Sequence, residues 1–249
     1  MFNQPIPPIT KNLLIINVLL YLATYVFAQR GIDLATPLAA YYPESVNFHP
    51  WQIITHMFMH ANLTHIGFNM FALWMFGSTV EHALGAKKFI ILYFAAGLGA
   101  FALFNFVNFI QIEHLKSILT TAGVDPNSFL GNLDVSSGKS SFMIPNMPAA
   151  KELAQYFVTP MVGASGAIYG VLVAFGVLYP DAKLALLFLP VPVKAKYFIP
   201  VMIAIEFFLG LENFAWNPIA HFAHIGGAII GFILVWGWKK KLIRQYREQ

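Results

Sequence analysis

Apolar stretches recur six times along this chain, most of them near the length that crosses a lipid bilayer, and no other feature restricts its fold so strongly. They run from about Leu13 to Phe27, Leu63 to Val80, Phe89 to Phe109, Ser165 to Tyr179, Tyr197 to Leu211 and Ile219 to Trp238. A membrane helix needs about 20 mostly apolar residues, fewer where it is tilted or packed among neighbours. The fourth and fifth stretches are short, so they are expected to begin below the membrane surface, where protein packing or a water-filled cavity satisfies the free backbone groups. Only 10% of the residues are charged and 58% are hydrophobic, against about 25% charged in soluble domains. These proportions argue against a water-soluble globule. The expected fold is an all-α membrane protein, a six-transmembrane-helix bundle forming a single domain over residues 1–249.

An even number of spans puts both termini on one side, and the basic tail Lys239, Lys240, Lys241, Arg244 and Arg247 makes that side cytoplasmic. Lys11, Lys87, Lys88, Lys183, Lys194 and Lys196 fall on the same side, giving eleven; Arg30, Lys116, Lys139 and Lys151 lie opposite, giving four. The expected location is therefore a cell membrane, plasma or inner, with both termini cytoplasmic. The N-terminus has no charged n-region or cleavage site, and its first apolar run follows Pro5, Pro7 and Pro8, so it is expected to stay in the mature protein. The net charge of +4 sits at the ends of apolar stretches rather than on one face, which reads as topology and not as a nucleic-acid surface. The chain has no cysteine, so disulfides, thiolate metal sites and a cysteine nucleophile are excluded.

Two connections stand out. Residues 111–160 form a polar, proline-containing insert between spans three and four on the extracytoplasmic side, with the stretch Ser136-Ser137-Gly138-Lys139-Ser140-Ser141. Loops this long are functional or carry structure of their own. The segment from Tyr42 to Phe58 sets Phe48, Trp51 and Phe58 among polar residues and Pro50, which fits a loop in the headgroup region. No internal repeat is evident, so a transporter built from inverted repeats has no support.

Polar groups inside spans are costly and each demands a reason. Span two carries His65 and Asn69 four residues apart, on one helix face, with His60 a little over a turn earlier. Span six carries His221 and His224. Ser165, in the run Gly163-Ala164-Ser165-Gly166, can be a helix-packing residue, because small residues allow close approach. It can equally be a nucleophile if a base lies within about 2.6–3.2 Å. His224 is the candidate base: Gly227, Ala228 and Gly231 share its helix face, and Gly166 and Gly170 offer a matching small-residue face on span four. Tyr169, one turn after Ser165, can stack on the His224 ring or serve as a core tyrosine. His221 can pack, hydrogen-bonded, or orient another group.

Attack on a carbonyl creates an oxyanion that needs fixed donors. Asn69, His65 and the Ser165 N–H can supply them, and simple interhelical bonding is the other reading of the two side chains. Rival chemistries fare worse. There is no His-Glu-x-x-His zinc motif, and Asp33, Asp125, Asp134 and Asp181 fall in loops or at span ends, so an aspartyl intramembrane protease fails. Glu81 is expected to be a helix-end group bonded to a neighbouring loop. The soluble hydrolase elbow is excluded by Ala167 in place of its second glycine.

With these residues in view, the chain resembles the rhomboid family of intramembrane serine proteases over most of residues 42–235. The run from Trp51 to Asn69 is similar to the family's first loop and second helix; Gly77 to Glu81, Gly85 and Tyr93 follow in order. Gly163 to Gly170 resembles its nucleophile segment and Ala223 to Gly231 its base-bearing helix. The resemblance implies a serine endopeptidase with Ser165 as nucleophile and His224 as base, no third acidic member, Tyr169 in support, and oxyanion roles for His65 and Asn69, with His60, Gly163 and Gly166 as supporting positions. It implies transmembrane protein substrates cleaved in or near a membrane segment of unstable helix, in contact with the lipid bilayer, and no metal or organic cofactor. Two departures stand out: Gln52 replaces a frequent basic residue after the loop tryptophan, and the long insert enlarges the extracytoplasmic side. A catalytically silent binder of membrane helices and a channel using the polar cluster are the two other classes to weigh. The intact Ser165 and His224 argue against the first; the lack of repeats and of intramembrane carboxylates argues against the second.

Overall fold

The computed structural model describes residues 5–137, 143–186, 189–212 and 221–247. Lys139, with residues 138–142, and the start of span six at Ile219 lie outside them. The molecule is a membrane bundle made almost wholly of helices. Its principal helices are Pro8–Ala28 (span one), Leu63–Ala72 continued through a π turn Leu73–Gly77 into Ser78–Leu84 (span two), and Ala86–Thr121 (span three). Ser165–Leu178 (span four), Ala195–Glu212 (span five) and His221–Arg247 (span six) complete the set. By length and composition, Pro8–Ala28, Ala86–Thr121 and His221–Lys240 can each cross a membrane; Ser165–Leu178 is a shorter apolar helix. Two short antiparallel strands, Lys183–Leu186 and Leu189–Lys194, lie between spans four and five.

Burial sets the layers. Only 11% of the span-one window is buried, against 50% for span six. Leu19, Leu22 and Val26 of span one are exposed, as a lipid-facing surface requires. Span four lies innermost: Gly166 to Ile168 and Gly170 to Phe175 are all buried. At about 1.5 Å per residue its 14 residues reach about 21 Å, well short of a hydrocarbon core of about 30 Å. The helix can begin below the surface because other helices surround it.

The centre is a seam of small residues where spans three, four and six meet backbone to backbone. A Cβ added at Gly227 would lie 1.8 Å from the Gly166 carbonyl oxygen, and one at Gly231 would lie 2.4 Å from that of Gly170. One at Gly226 would lie 2.4 Å from the Gly99 carbonyl oxygen, and those at Gly166 and Gly170 would strike the methyls of Ala100 and Ala96. The small-residue faces read from the sequence thus meet, and span three adds a third face. Close approach of this kind is how membrane helices gain packing without a hydrophobic driving force.

Span three differs from its expected end near Phe109. It runs on to Thr121, and its 36 residues extend about 54 Å. The extension is amphipathic: Ile112, Leu115 and Leu119 are buried, one turn apart or two, whereas Lys116 bridges Glu113 and Glu44 on the outer face. Those buried residues pack with Tyr42, Phe129, Leu130, Leu133 and the Pro148–Val158 helix into a second apolar cluster. The insert read as 111–160 is therefore a packed outer layer with its own core.

Glu81 also departs from its expected partner. Its carboxylate accepts from the N–H groups of Ile9 (3.0 Å) and Thr10 (2.7 Å) and from the Thr10 hydroxyl (2.8 Å). The span-one helix starts after Pro7, which provides no side-chain cap. Glu81 caps it from span two, placing a negative charge at the positive end of the helix dipole. Gly85, at φ 76°, then reverses the chain between spans two and three.

Candidate active site

Ser165 is the first residue of the span-four helix, with Ala164 as its N-cap and no side-chain cap. The first N–H groups of a helix have no partner within it, so this end presents free donors and a positive partial charge. Two contacts fix the segment that leads in. Met161 and Ala40 exchange backbone hydrogen bonds of 2.7 and 3.0 Å, and the Gly163 N–H donates to the His56 carbonyl at 2.9 Å. Gly163 has φ 122°, in the region that favours glycine. A Cβ there would lie 2.9 Å from Cε1 and Nε2 of His65 and 3.6 Å from Ser165 Oγ. That absent methyl leaves the space between the His65 ring and the serine open.

His224 Nε2 lies 2.9 Å from Ser165 Oγ, across the seam of spans four and six. The Tyr169 ring stacks on the His224 ring at 4.2 Å between centroids and 4° between planes. Ser165 is half-buried and His224 buried. An imidazole held so, with its Nε2 facing the hydroxyl, can accept the serine proton.

On span two, Asn62 caps the helix by accepting from the His65 N–H at 2.8 Å. His65 and Asn69, four residues apart, share one face of this helix, and the His65 ring lies against Gly163. His65 is half-buried, and His60 meets its ring edge-on at 5.1 Å. Asn69 is 6% exposed, and its buried Nδ2 has no hydrogen-bond partner among the described residues. Interhelical bonding therefore leaves this donor unexplained.

The loop before span two is anchored by Gln52, the residue that departs from the expected basic pattern. Gln52 is fully buried. Its Nε2 donates to the carbonyls of Asn47 (3.0 Å) and Thr36 (3.3 Å), and its Oε1 accepts from the N–H groups of His49 (3.1 Å) and Tyr41 (3.3 Å). A neutral amide offers both donors and acceptors, which a guanidinium cannot. Trp51 beside it stays half exposed and donates to the Pro37 carbonyl at 2.8 Å, consistent with a headgroup position. His56 Nδ1 contacts the Gln52 carbonyl at 2.7 Å, and burial pushes the His56 imidazole down to about 4. Burial likewise pushes His60 down to about 4.

The sequence reading missed Glu206. It expected no intramembrane carboxylate and no acidic partner for the histidines, having weighed the four aspartates and Glu81 but not Glu206. Yet Glu206 sits in the Ala195–Glu212 helix with a 13% exposed side chain. Its Oε2 lies 2.6 Å from His221 Nδ1 and 3.0 Å from His224 Nδ1, and its Oε1 accepts from the Tyr169 hydroxyl. His221 is thus a hydrogen-bonded partner of this carboxylate. The signal was present: a glutamate inside a short apolar span needs a partner as much as an aspartate does. Glu206, His221 and His224 also bring one ligand atom each within 4.8 Å of one another, a set able to hold a divalent ion, although three side-chain donors already converge on the carboxylate.

Comparison with known proteins adds a family match. The model of the rhomboid domain matches residues 47–124 and 128–241. The rhomboid protease AarA of Providencia stuartii is 28% identical over 236 residues, covering 91% of this chain and 70% of that protein. An uncharacterised mitochondrial rhomboid protein of Schizosaccharomyces pombe is 27% identical over 212 residues, covering 77% of this chain and 52% of its own length. The human presenilin-associated rhomboid-like protein, mitochondrial, is 28% identical over 202 residues, covering 77% and 40% respectively. The chain spans about half or less of the length of these two mitochondrial relatives.

Proposed function

The chain belongs to the rhomboid family, and from that premise we propose that it is an intramembrane serine endopeptidase whose nucleophile is Ser165 and whose general base is His224. The observation that carries this reading is the 2.9 Å approach of His224 Nε2 to Ser165 Oγ at the open N-terminus of the span-four helix. The substrates are transmembrane proteins, cut in or near a membrane segment that leaves its helix readily enough to offer a carbonyl. Residues 1–249 act as one domain, since the outer layer is built on the same span-three helix as the seam.

The reaction begins with the Ser165 hydroxyl donating to neutral His224. As Oγ bonds to the substrate carbonyl carbon, its proton passes to Nε2 and the carbonyl oxygen becomes an anion. The Ser165 N–H, the His65 ring and the Asn69 amide are the donors around that oxygen. The tetrahedral centre collapses with cleavage of the C–N bond, and the His224 proton goes to the leaving amine. The new C-terminal half of the cut substrate departs and leaves an ester on Ser165. Water then enters from the extracytoplasmic side, gives a proton to His224 and attacks the ester; collapse returns the proton to Oγ and frees the acid. Gly163 keeps the oxyanion space open, and Gly166 keeps the two helices at reacting distance. His60 supports the His65 ring.

The topology belongs to the same proposal: both termini lie on the cytoplasmic side of a cell membrane, plasma or inner, by the excess of Lys and Arg there. Reporter fusions at each terminus, read for cytoplasmic or external activity, test it.

The activity is tested with purified protein in liposomes, a serine-reactive fluorescent phosphonate and a model transmembrane substrate. Ser165→Ala is expected to abolish labelling and cleavage. His224→Ala is expected to slow both by about 10²–10⁴-fold, the usual worth of a general base. Ser165→Ala labelling equal to wild type would overturn the assignment, and solute flux surviving that change would favour a channel.

A further inference from the structure

His224 is held on three sides. Its Nε2 faces Ser165, its ring face is covered by Tyr169, and its Nδ1 lies 3.0 Å from Glu206 Oε2. Three helices contribute: span four brings Ser165 and Tyr169, span six brings His224, and span five brings Glu206. We propose that Glu206 is a positioning residue of the catalytic apparatus, completing a Ser165–His224–Glu206 triad in which its carboxylate orients His224 and stabilises the imidazolium formed during attack. The inference rests on the Ser165 and His224 assignment above.

A carboxylate inside a membrane bundle needs compensation, and Glu206 has three donors to supply it: the Tyr169 hydroxyl on Oε1, and the His221 and His224 Nδ1 atoms near Oε2. The contact with His221 is an aligned hydrogen bond at 2.6 Å, whereas His224 Nδ1 stands at ion-pair distance, out of line for a hydrogen bond. A purely structural tie would be served by His221 and Tyr169 alone. The unaligned third contact is on the imidazole that gains a proton in the proposed reaction, and contacts of this kind tighten as charge develops. A carboxylate at Nδ1 also selects the tautomer with a proton there, leaving Nε2 free to accept from the serine. Tyr169 joins the two roles, because it stacks on the base and anchors the carboxylate at once. His221 occupies the other approach to Oε2 and keeps the carboxylate from turning away.

The effect should therefore be confined to the chemical step. In liposomes, with the full chain and a model transmembrane substrate, Glu206→Gln is expected to lower kcat by roughly 10²-fold and leave KM within about twofold, since the ground state does not contain the imidazolium. Glu206→Asp, which keeps the charge, is expected to recover at least about tenfold of that loss. In ¹⁵N-histidine-labelled protein, the His224 nitrogen shifts at neutral pH are expected to report the Nδ1–H tautomer in wild type and in Ser165→Ala, and a mixture of tautomers in Glu206→Gln. A kcat for Glu206→Gln within threefold of wild type would overturn the triad, as would a loss of activity that follows a fall in melting temperature and is equal in the Gln and Asp variants. Those results leave the dyad intact. Phosphonate labelling of Ser165→Ala equal to wild type would instead overturn the dyad, and the triad with it.

Discussion

Replacing Gly227 by alanine adds one methyl group, in the middle of the seam that holds the serine and the histidine together. The new Cβ would sit 1.8 Å from the Gly166 carbonyl oxygen and 2.7 Å from its carbon, with the Ala96 carbonyl oxygen at 3.4 Å on the other side. A carbon and a carbonyl oxygen come no closer than about 3.3 Å, so spans four and six must part by about 1.5 Å. The contacting atoms are backbone, which cannot swing aside as a flexible side chain would. Gly166 follows Ser165 directly, and Gly227 lies about one turn beyond His224, so most of this separation reaches the 2.9 Å contact. The pair would move beyond hydrogen-bond range. A misplacement of about 1 Å costs about 10²-fold in rate, equivalent to about 2.7 kcal/mol in the barrier. Overpacking should also cost about 1–3 kcal/mol of stability. The assay is the rate of phosphonate labelling in liposomes, with melting temperature recorded in parallel. Gly237→Ala on the same helix is the control, because a Cβ there meets nothing within 4 Å; it should label as wild type does. If Gly227→Ala labels at the wild-type rate, the seam does not set the distance between nucleophile and base, and the reasoning is refuted.

Two further outcomes follow from the loop before span two. Gln52→Leu removes a fully buried amide that serves four backbone groups. Leaving those four groups unpaired should cost at least roughly 4 kcal/mol, at about 1–3 kcal/mol per group, and Gln52→Arg should not restore it; denaturant titration followed by tryptophan fluorescence checks both. His56, pushed by burial from 6.5 down to about 4, stabilises the fold in its neutral form. Its contribution is complete above pH 6.5 and is lost as pH falls through 4, by up to roughly 3 kcal/mol. Melting temperatures measured from pH 7 to pH 4 should fall, and fall less in His56→Gln; equal slopes would refute the assignment.

Much of this structure could be read from the chain alone, and the exceptions share a cause. Spans are legible because hydropathy over about 20 residues reports directly on what can sit in lipid. The seam was legible because glycines at one-turn spacing on His224's helix face had a counterpart beside Ser165. Hydropathy fails where a helix leaves the membrane. From Gln111 the chain turns polar, so span three seemed to end, yet Ile112, Leu115 and Leu119 keep the spacing of a helix that buries one face. Gln52 stood out only as a departure, with the frequent basic side chain replaced by an amide. An amide satisfies the turn through local backbone groups, and their positions depend on the folded loop. Glu206 depends on three helices meeting, so no local pattern around it names its partners. Its cost in an apolar span was visible all the same, and it applies to every ionisable side chain, whichever acid carries it.

The length of span three has a mechanical side. One unbroken helix carries both the seam residues Ala96, Gly99 and Ala100 and the outer-layer residues Ile112, Leu115 and Leu119. From Gly99 to Leu119 is about 30 Å at 1.5 Å per residue. A stiff rod of that length is a lever: a tilt of about 3° about its seam end carries its outer end through about 1.5 Å, as much as one extra methyl demands of the seam. Bulk lipid presses on such a rod along its flank, whereas anything that grips the outer layer acts at its far end, where a small force exerts the largest torque on the helices that hold Ser165 and His224 together.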